Sequence, residues 1–242
     1  MSSLSRGLFA GVVLAALTAA PSAPAVPAPG LMLPPDVAQS PAWKYAGLDA
    51  TACLAELGKR SIPYAKATST AVVAPVRLTG PIRGVTFHSQ LPAAQRATSP
   101  YEIFDCRLVL ALDDFAVILG KYDVQEVVHF SVYRPPIKTW PADKPGKQHT
   151  GGLAIDAGQF IRKDGTVLQV ERDFHGAIGA PTCGGTSGPS PATADATALR
   201  GILCEAATAH LFNVVLTPDF NWAHRNHFHL EVTVGAKWFL VK

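Results

Sequence analysis

Residues 224–231 read His-Arg-Asn-His-Phe-His-Leu-Glu. From His227 onward polar and apolar residues alternate, which is the pattern of a strand. His227, His229 and Glu231 then share one face, while Phe228, Leu230 and Val232 take the other. One histidine on the polar face of a strand means little, because a solvated edge tolerates it. Two in register, with a third just upstream at His224, point to a site.

The segments around this strand, which is expected over Phe228–Val234, set the fold class. Phe104–Leu119 carries Leu108, Leu112, Phe115 and Leu119 at helical spacing, and predicts a helix with one buried face. Val127–Tyr133 is β-branched and aromatic and stops at Pro135-Pro136, so it reads as a strand entering a loop, with Arg134 at the junction. Leu153–Ala157 is a short apolar strand entered through Gly151-Gly152, and Ala196–Phe212 is a second amphipathic helix. Between Asp173 and Asp195 lies a Gly/Pro/Ser/Thr-rich stretch, expected to be a long loop that is functional or mobile. Helices and strands mixed without regular βαβ alternation imply an α+β fold.

The 242 residues suffice for one sizeable core, and 48% apolar with 16% charged residues is the composition of a folded protein. A net charge of +3 is too small to argue for a nucleic-acid partner. The N-terminus reads as a signal peptide over 1–25: Arg6 is followed by an apolar run, Leu8–Ala20, shorter than a membrane span, and then by Ala23-Pro24-Ala25. Cleavage near Val26 leaves no stable membrane insertion. A Pro/Ala-rich linker is expected over 26–45, ahead of a domain over 46–242. Cys53, Cys106, Cys183 and Cys204 suit two disulfides in an oxidising, exported location. Four cysteines allow three connectivities; Cys53–Cys106 with Cys183–Cys204 is preferred, and the others stay open.

The chemistry gathers at three places. Arg134 stands at a strand end. His149 precedes two glycines and a strand bearing Asp156, a carboxylate among Leu153, Ala154, Ile155 and Ala157 that is costly to bury without a cation or donors. The histidine-rich strand supplies His229. Two imidazoles and one carboxylate leave a fourth position for water, the composition of catalytic rather than structural zinc. His149, Asp156 and His229 are therefore the expected Zn2+ ligands. His227 is placed to act as base, and Arg134 to face a developing oxyanion. No partner is legible for His88, His129, His175 or His210.

These residues also carry a resemblance. Ser131-Val-Tyr-Arg134, His149-x6-Asp156 and His224-x2-His227-x-His229 resemble the LAS group of zinc D-alanyl-D-alanine carboxypeptidases. Gly151–Asp156, Asp164-Gly165, Val170-Glu171 and the run from Val215 to Leu230 resemble the bacterial extensin-like C-terminal domain. The resemblance spans roughly Cys53 to Val234. It implies a small antiparallel sheet flanked by helices, in the LAS (hedgehog/D-Ala-D-Ala peptidase-like) architecture. It implies the same three ligands, His227 as base or transition-state stabiliser, Arg134 on a substrate carbonyl or carboxylate, and His224 in the cleft. The implied substrate is a peptide bond of peptidoglycan stem peptides or cross-links.

Two other readings compete. A wall-binding protein could keep the metal for structure alone, but it would need neither Arg134 nor His227. A non-haem iron oxygenase uses the same ligand types. Such enzymes bring the first histidine and the carboxylate closer in sequence.

Overall fold

The computed structural model describes residues 36–136, 147–184 and 188–242. The expected signal peptide, its cleavage site and the first part of the linker lie outside them. The described residues start at Asp36 and so include part of the stretch expected to be linker. A 3-10 turn over Asp36–Gln39 leads to α1 (Pro41–Ala46), which Ser40 caps by accepting from Trp43 N. Ala42, Tyr45 and Ala46 are buried, so the apolar residues of this Pro/Ala-rich stretch belong to the domain.

The chain continues through α2 (Ala50–Lys59), β1 (Tyr64–Lys66), β2 (Pro75–Leu78), β3 (Thr86–Ser89), α3 (Ala93–Arg96) and β4 (Phe104–Asp105). Next come α4 (Cys106–Lys121), β5 (Val124–His129), β6 (Ala154–Arg162), β7 (Val167–Gln169) and α5 (Val170–Asp173). Helix α6 (Ala194–Thr208) is followed by β8 (Val214–Leu216), β9 (Phe228–Glu231) and β10 (Leu240–Val241). The fold is α+β.

The main sheet is larger and more mixed than the small antiparallel sheet expected. It runs β10-β8-β9-β6-β5-β3, with β7 also on β6. The β3–β5 and β8–β10 pairs are parallel, and the pairs joining β5, β6, β9 and β8 are antiparallel. Strands β1, β2 and β4 form a separate antiparallel sheet.

Helix α4 is the centre of the core. Asp105 caps it by accepting from Arg107 N. Leu108, Val109, Leu110, Ala111 and Leu112 are all buried, so it is enclosed on most sides rather than on one face. Helices α1, α2 and α6 and strand β5 all pack on it, which periodicity within one segment cannot reveal. Phe115 meets Phe212 edge-on at 5.6 Å, and Phe228 packs between Phe160 and Phe174.

Both preferred disulfides are present. Cys53–Cys106 ties α2 to the start of α4, and Cys183–Cys204 ties the Gly/Pro-rich segment to α6. Each closes a loop whose lost chain entropy is worth about 3–4 kcal/mol. The segment after α5 is fixed at further points in its described part. Buried Asp219 accepts from Ala177 N (2.7 Å), Thr182 Oγ1 (3.1 Å) and Arg200 (3.0 Å). No helix among the described residues is long and apolar enough to cross a membrane.

Candidate metal centre

Strand β5 stops at His129, earlier than the expected Tyr133, because the β5–β6 register shifts between Val128 and His129. Past this irregularity the chain stays beside β6. Phe130 N donates to Asp156 O (2.9 Å), and Asp156 N donates to Ser131 O (3.1 Å). A break of this kind re-aims side chains, and here it directs Ser131 and Arg134 at Asp156. On the other side of β6, Asp156 lies directly opposite His229 of β9. His149 arrives from a 3-10 turn, Lys147–Gly151. Gly152 joins this turn to β6 with φ +66°, and a Cβ there would lie 2.8 Å from Asp105 N. Only glycine meets both demands.

The three expected ligands converge, and all are buried. Asp156 Oδ1 lies 3.1 Å from His149 Nε2 and 3.0 Å from His229 Nδ1, and these nitrogens are 3.2 Å apart. Tetrahedral zinc ligands about 2.05 Å from a common centre stand about 3.3 Å from one another, close to this spacing. The far side of each ligand is held. His149 Nδ1 donates to Val132 O at 2.7 Å, and His229 Nε2 donates to Glu231 Oε2 at 3.0 Å. With those protons placed outward, the imidazoles in their neutral, metal-binding form turn their lone pairs toward each other and toward Asp156. Such a donor set fits a cation, and the outer partners are those that orient metal-ligating histidines.

The protein's own charges favour an ionised Asp156 beside a protonated His229, whose inward proton a cation would displace. Burial raises the Asp156 carboxyl, but the imidazoles of His149, His227 and His229 outweigh it and hold the group well below the ordinary carboxylate range. Burial pushes His149 down. Burial also works to push His229 down, but hydrogen bonds to Asp156 and Glu231 outweigh it and raise the group to about 9.

The remaining expected residues line the same place. His227 Nε2 lies 3.4 Å from Asp156 Oδ1, and its Nδ1 donates to Asn226 Oδ1 at 2.8 Å. His224 Nδ1 donates to Asn221 Oδ1 at 2.8 Å, and its ring lies 5.1 Å from His227 and 5.9 Å from His229. Burial, helped by these two rings, lowers His224 to about 4. Arg134 does not stand free: Nε donates to Ser131 Oγ (2.8 Å) and Nη2 donates to Asp156 Oδ2. Its side chain is 41% exposed, at the rim.

Sequence reasoning missed the outer partners. Ser131 donates to Asp156 Oδ2 at 3.0 Å, and Thr233 Oγ1 donates to Glu231 Oε1 at 2.6 Å. Glu231 could have been found, since it follows His229 at strand spacing on the same face. The Val132 carbonyl carries no sequence signal. Of the histidines left without a partner, His88 pairs with Glu126 at 2.8 Å and His210 stacks on Phe239, while His129 is wholly buried.

Among known proteins, residues 51–240 match the model of the family described as the extensin-like protein C-terminus. No curated protein and no solved structure gives a significant match.

Proposed function

The chain belongs to the extensin-like protein C-terminus family, and from its donor cluster we propose that it is an exported, zinc-dependent peptidase acting on peptidoglycan stem peptides or cross-links. One observation carries this reading. Buried His149, Asp156 and His229 present three donor atoms to one point, each imidazole with its other nitrogen held by an acceptor. Kinship with the LAS peptidases and their architecture rests on the Ser131–Arg134, His149–Asp156 and His224–His229 spacings. Export rests on the reading of residues 1–25, and two disulfides support it.

Zinc held by the three ligands supplies Lewis acidity toward a substrate carbonyl and toward a water molecule. The chain's own residues do the rest. His227, with Nδ1–H committed to Asn226, keeps the lone pair of Nε2 on the side of Asp156. Nε2 is thus placed to accept a proton from an attacking water and return it to the leaving amine. Arg134 and Ser131 hold Asp156 Oδ2, so that Oδ1 faces inward. The exposed edge of the Arg134 guanidinium is available to a substrate carbonyl or carboxylate. His224 flanks His227 and closes the histidine side of the site.

The test is digestion of purified peptidoglycan by the full chain with zinc and with chelator, the products read by mass spectrometry. Release of peptide fragments only with metal is the expected result. Stoichiometric zinc with no release would instead make the chain a non-catalytic wall-binding protein. Activity with ferrous iron and oxygen only would assign it to the oxygenases.

A further inference from the structure

Two pockets near His227 share Glu171 as a wall and are read together as one trough. The first, of ≈ 390 Å³, is lined by Gln90, Phe130, Gln159, Gln169, Glu171 and Asn226. The second, of ≈ 230 Å³, is lined by His175, Ile178, Asn221, Trp222 and Arg225, with Val170, Phe174 and Pro218 as apolar wall. Two lining residues touch the proposed base: the Phe130 ring is 5.8 Å from His227, and Asn226 takes the His227 Nδ1 proton. Phe130 can lie there because position 158 is glycine, where a Cβ would stand 2.8 Å from Phe130 Cζ.

The lining fixes the ligand class. Glu171 and Arg225 pair at 3.5 Å, so the carboxylate and the guanidinium of the trough largely offset each other. Most of the other polar side chains are carboxamides, which donate and accept without charge. Trp222 is 71% exposed, with Arg225 packed 4.7 Å from the centre of its indole, and Ile178 is 63% exposed. Large apolar side chains left in water at the mouth of a polar pocket mark a binding surface. An uncharged ligand with hydroxyl and amide groups on its edges and C–H groups on its faces fits such a lining. Sugar rings have that form; a stem peptide with free termini brings charges that the trough does not complement.

We propose that the trough is a glycan subsite: it seats the uncharged N-acetylated amino-sugar strand of the wall polymer, with Trp222 stacked on a ring, and presents the attached peptide to His227. The choice of polymer rests on the wall-peptidase reading above.

The experiment titrates the full chain, held in chelator, with a peptide-free tetrasaccharide of N-acetylglucosamine, and follows binding by calorimetry and tryptophan fluorescence. Saturable binding is expected, weakened at least ~10-fold by Trp222→Ala, which removes the ring a bound sugar would cover, and by Gln159→Leu, which removes its hydrogen-bonding amide. Val117→Ser, on the exposed side of α4, serves as control. No saturable binding by the parent chain, or equal binding by both variants, overturns the proposal. So does a free stem peptide that displaces the sugar at lower concentration. The two readings fail separately. A soluble peptide cut with zinc by a chain that ignores the sugar removes only the glycan subsite. Sugar bound without any cleavage removes only the peptidase.

Discussion

Glu231 lies two residues beyond His229 on the same face of β9, and its Oε2 accepts from His229 Nε2 at 3.0 Å. That contact fixes which imidazole nitrogen turns inward. Glu231→Ala should therefore lower zinc affinity 10–100-fold, the usual effect of losing an outer partner. Glu231→Gln, which keeps an acceptor, should lose less, and His229→Ala should lose stoichiometric zinc altogether. Competition against a chromophoric chelator measures all three. Unchanged affinity in Glu231→Ala would mean that His229 is oriented without it.

His227→Ala should retain zinc and lose turnover by 10²–10⁴-fold, the range for a general acid–base group. The contact that matters is between His227 Nε2 and Asp156 Oδ1, 3.4 Å apart on the inner side of the site. Metal content by atomic absorption and peptide release by chromatography separate the two effects. Full turnover with metal in place would remove His227 from the chemistry.

Arg134→Lys should cut activity. One guanidinium reaches both Ser131 and Asp156 in the native chain, and an ammonium cannot span them in the same geometry. Ser131→Ala should reproduce part of the loss, because it removes the other donor to Asp156 Oδ2. Activity equal to the parent in both variants would mean that Asp156 needs neither partner.

The sequence made the converging His-Asp-His cluster legible because strand alternation and a carboxylate in an apolar run are local signals. His149, Asp156 and His229 each announce themselves within a few residues. Helix α4 and the first part of strand β6 were legible for the same reason, but β6 runs on to Arg162, past the expected end at Ala157. The parallel pairing of β3 with β5 was not, since strand partners are chosen by packing across the whole chain. Nor was the end of β5 at His129: Phe130–Tyr133 has strand composition, and only the shifted register beside Gly158 shows why pairing stops. Arg134 looked like a free cationic group because nothing local shows that Ser131 turns back to it.

Asp219→Ala should destabilise the fold by about 3–5 kcal/mol, since it leaves buried Arg200 without its carboxylate. It should also release the segment that Ala177 and Thr182 tie to Asp219. Urea unfolding gives the first effect, and faster proteolysis between residues 174 and 184 gives the second. A variant as stable and as protease-resistant as the parent would show that the Cys183–Cys204 disulfide holds this wall alone.

His129 gives the fold an acid limit. It is wholly buried, and neither ring nitrogen has a hydrogen-bond partner among the described residues. Burial, with His88 adding to it, lowers the group from 6.5 to about 3; Asp156 works weakly the other way, and Glu102 comes no nearer than 3.9 Å. Below pH 6.5 the unfolded chain takes up a proton that the folded chain refuses. Stability is therefore complete above that pH and falls as pH drops toward 3. The expected loss from this one group is about 2 kcal/mol by pH 5. His129→Leu removes the titration but keeps an apolar side chain beside Phe104. In chelator, the stability of the variant relative to the parent should rise by about 2 kcal/mol between pH 7 and pH 5, read from urea midpoints at each pH. Parallel pH profiles for the two proteins would mean that His129 finds a proton partner in the folded state and does not set the acid limit.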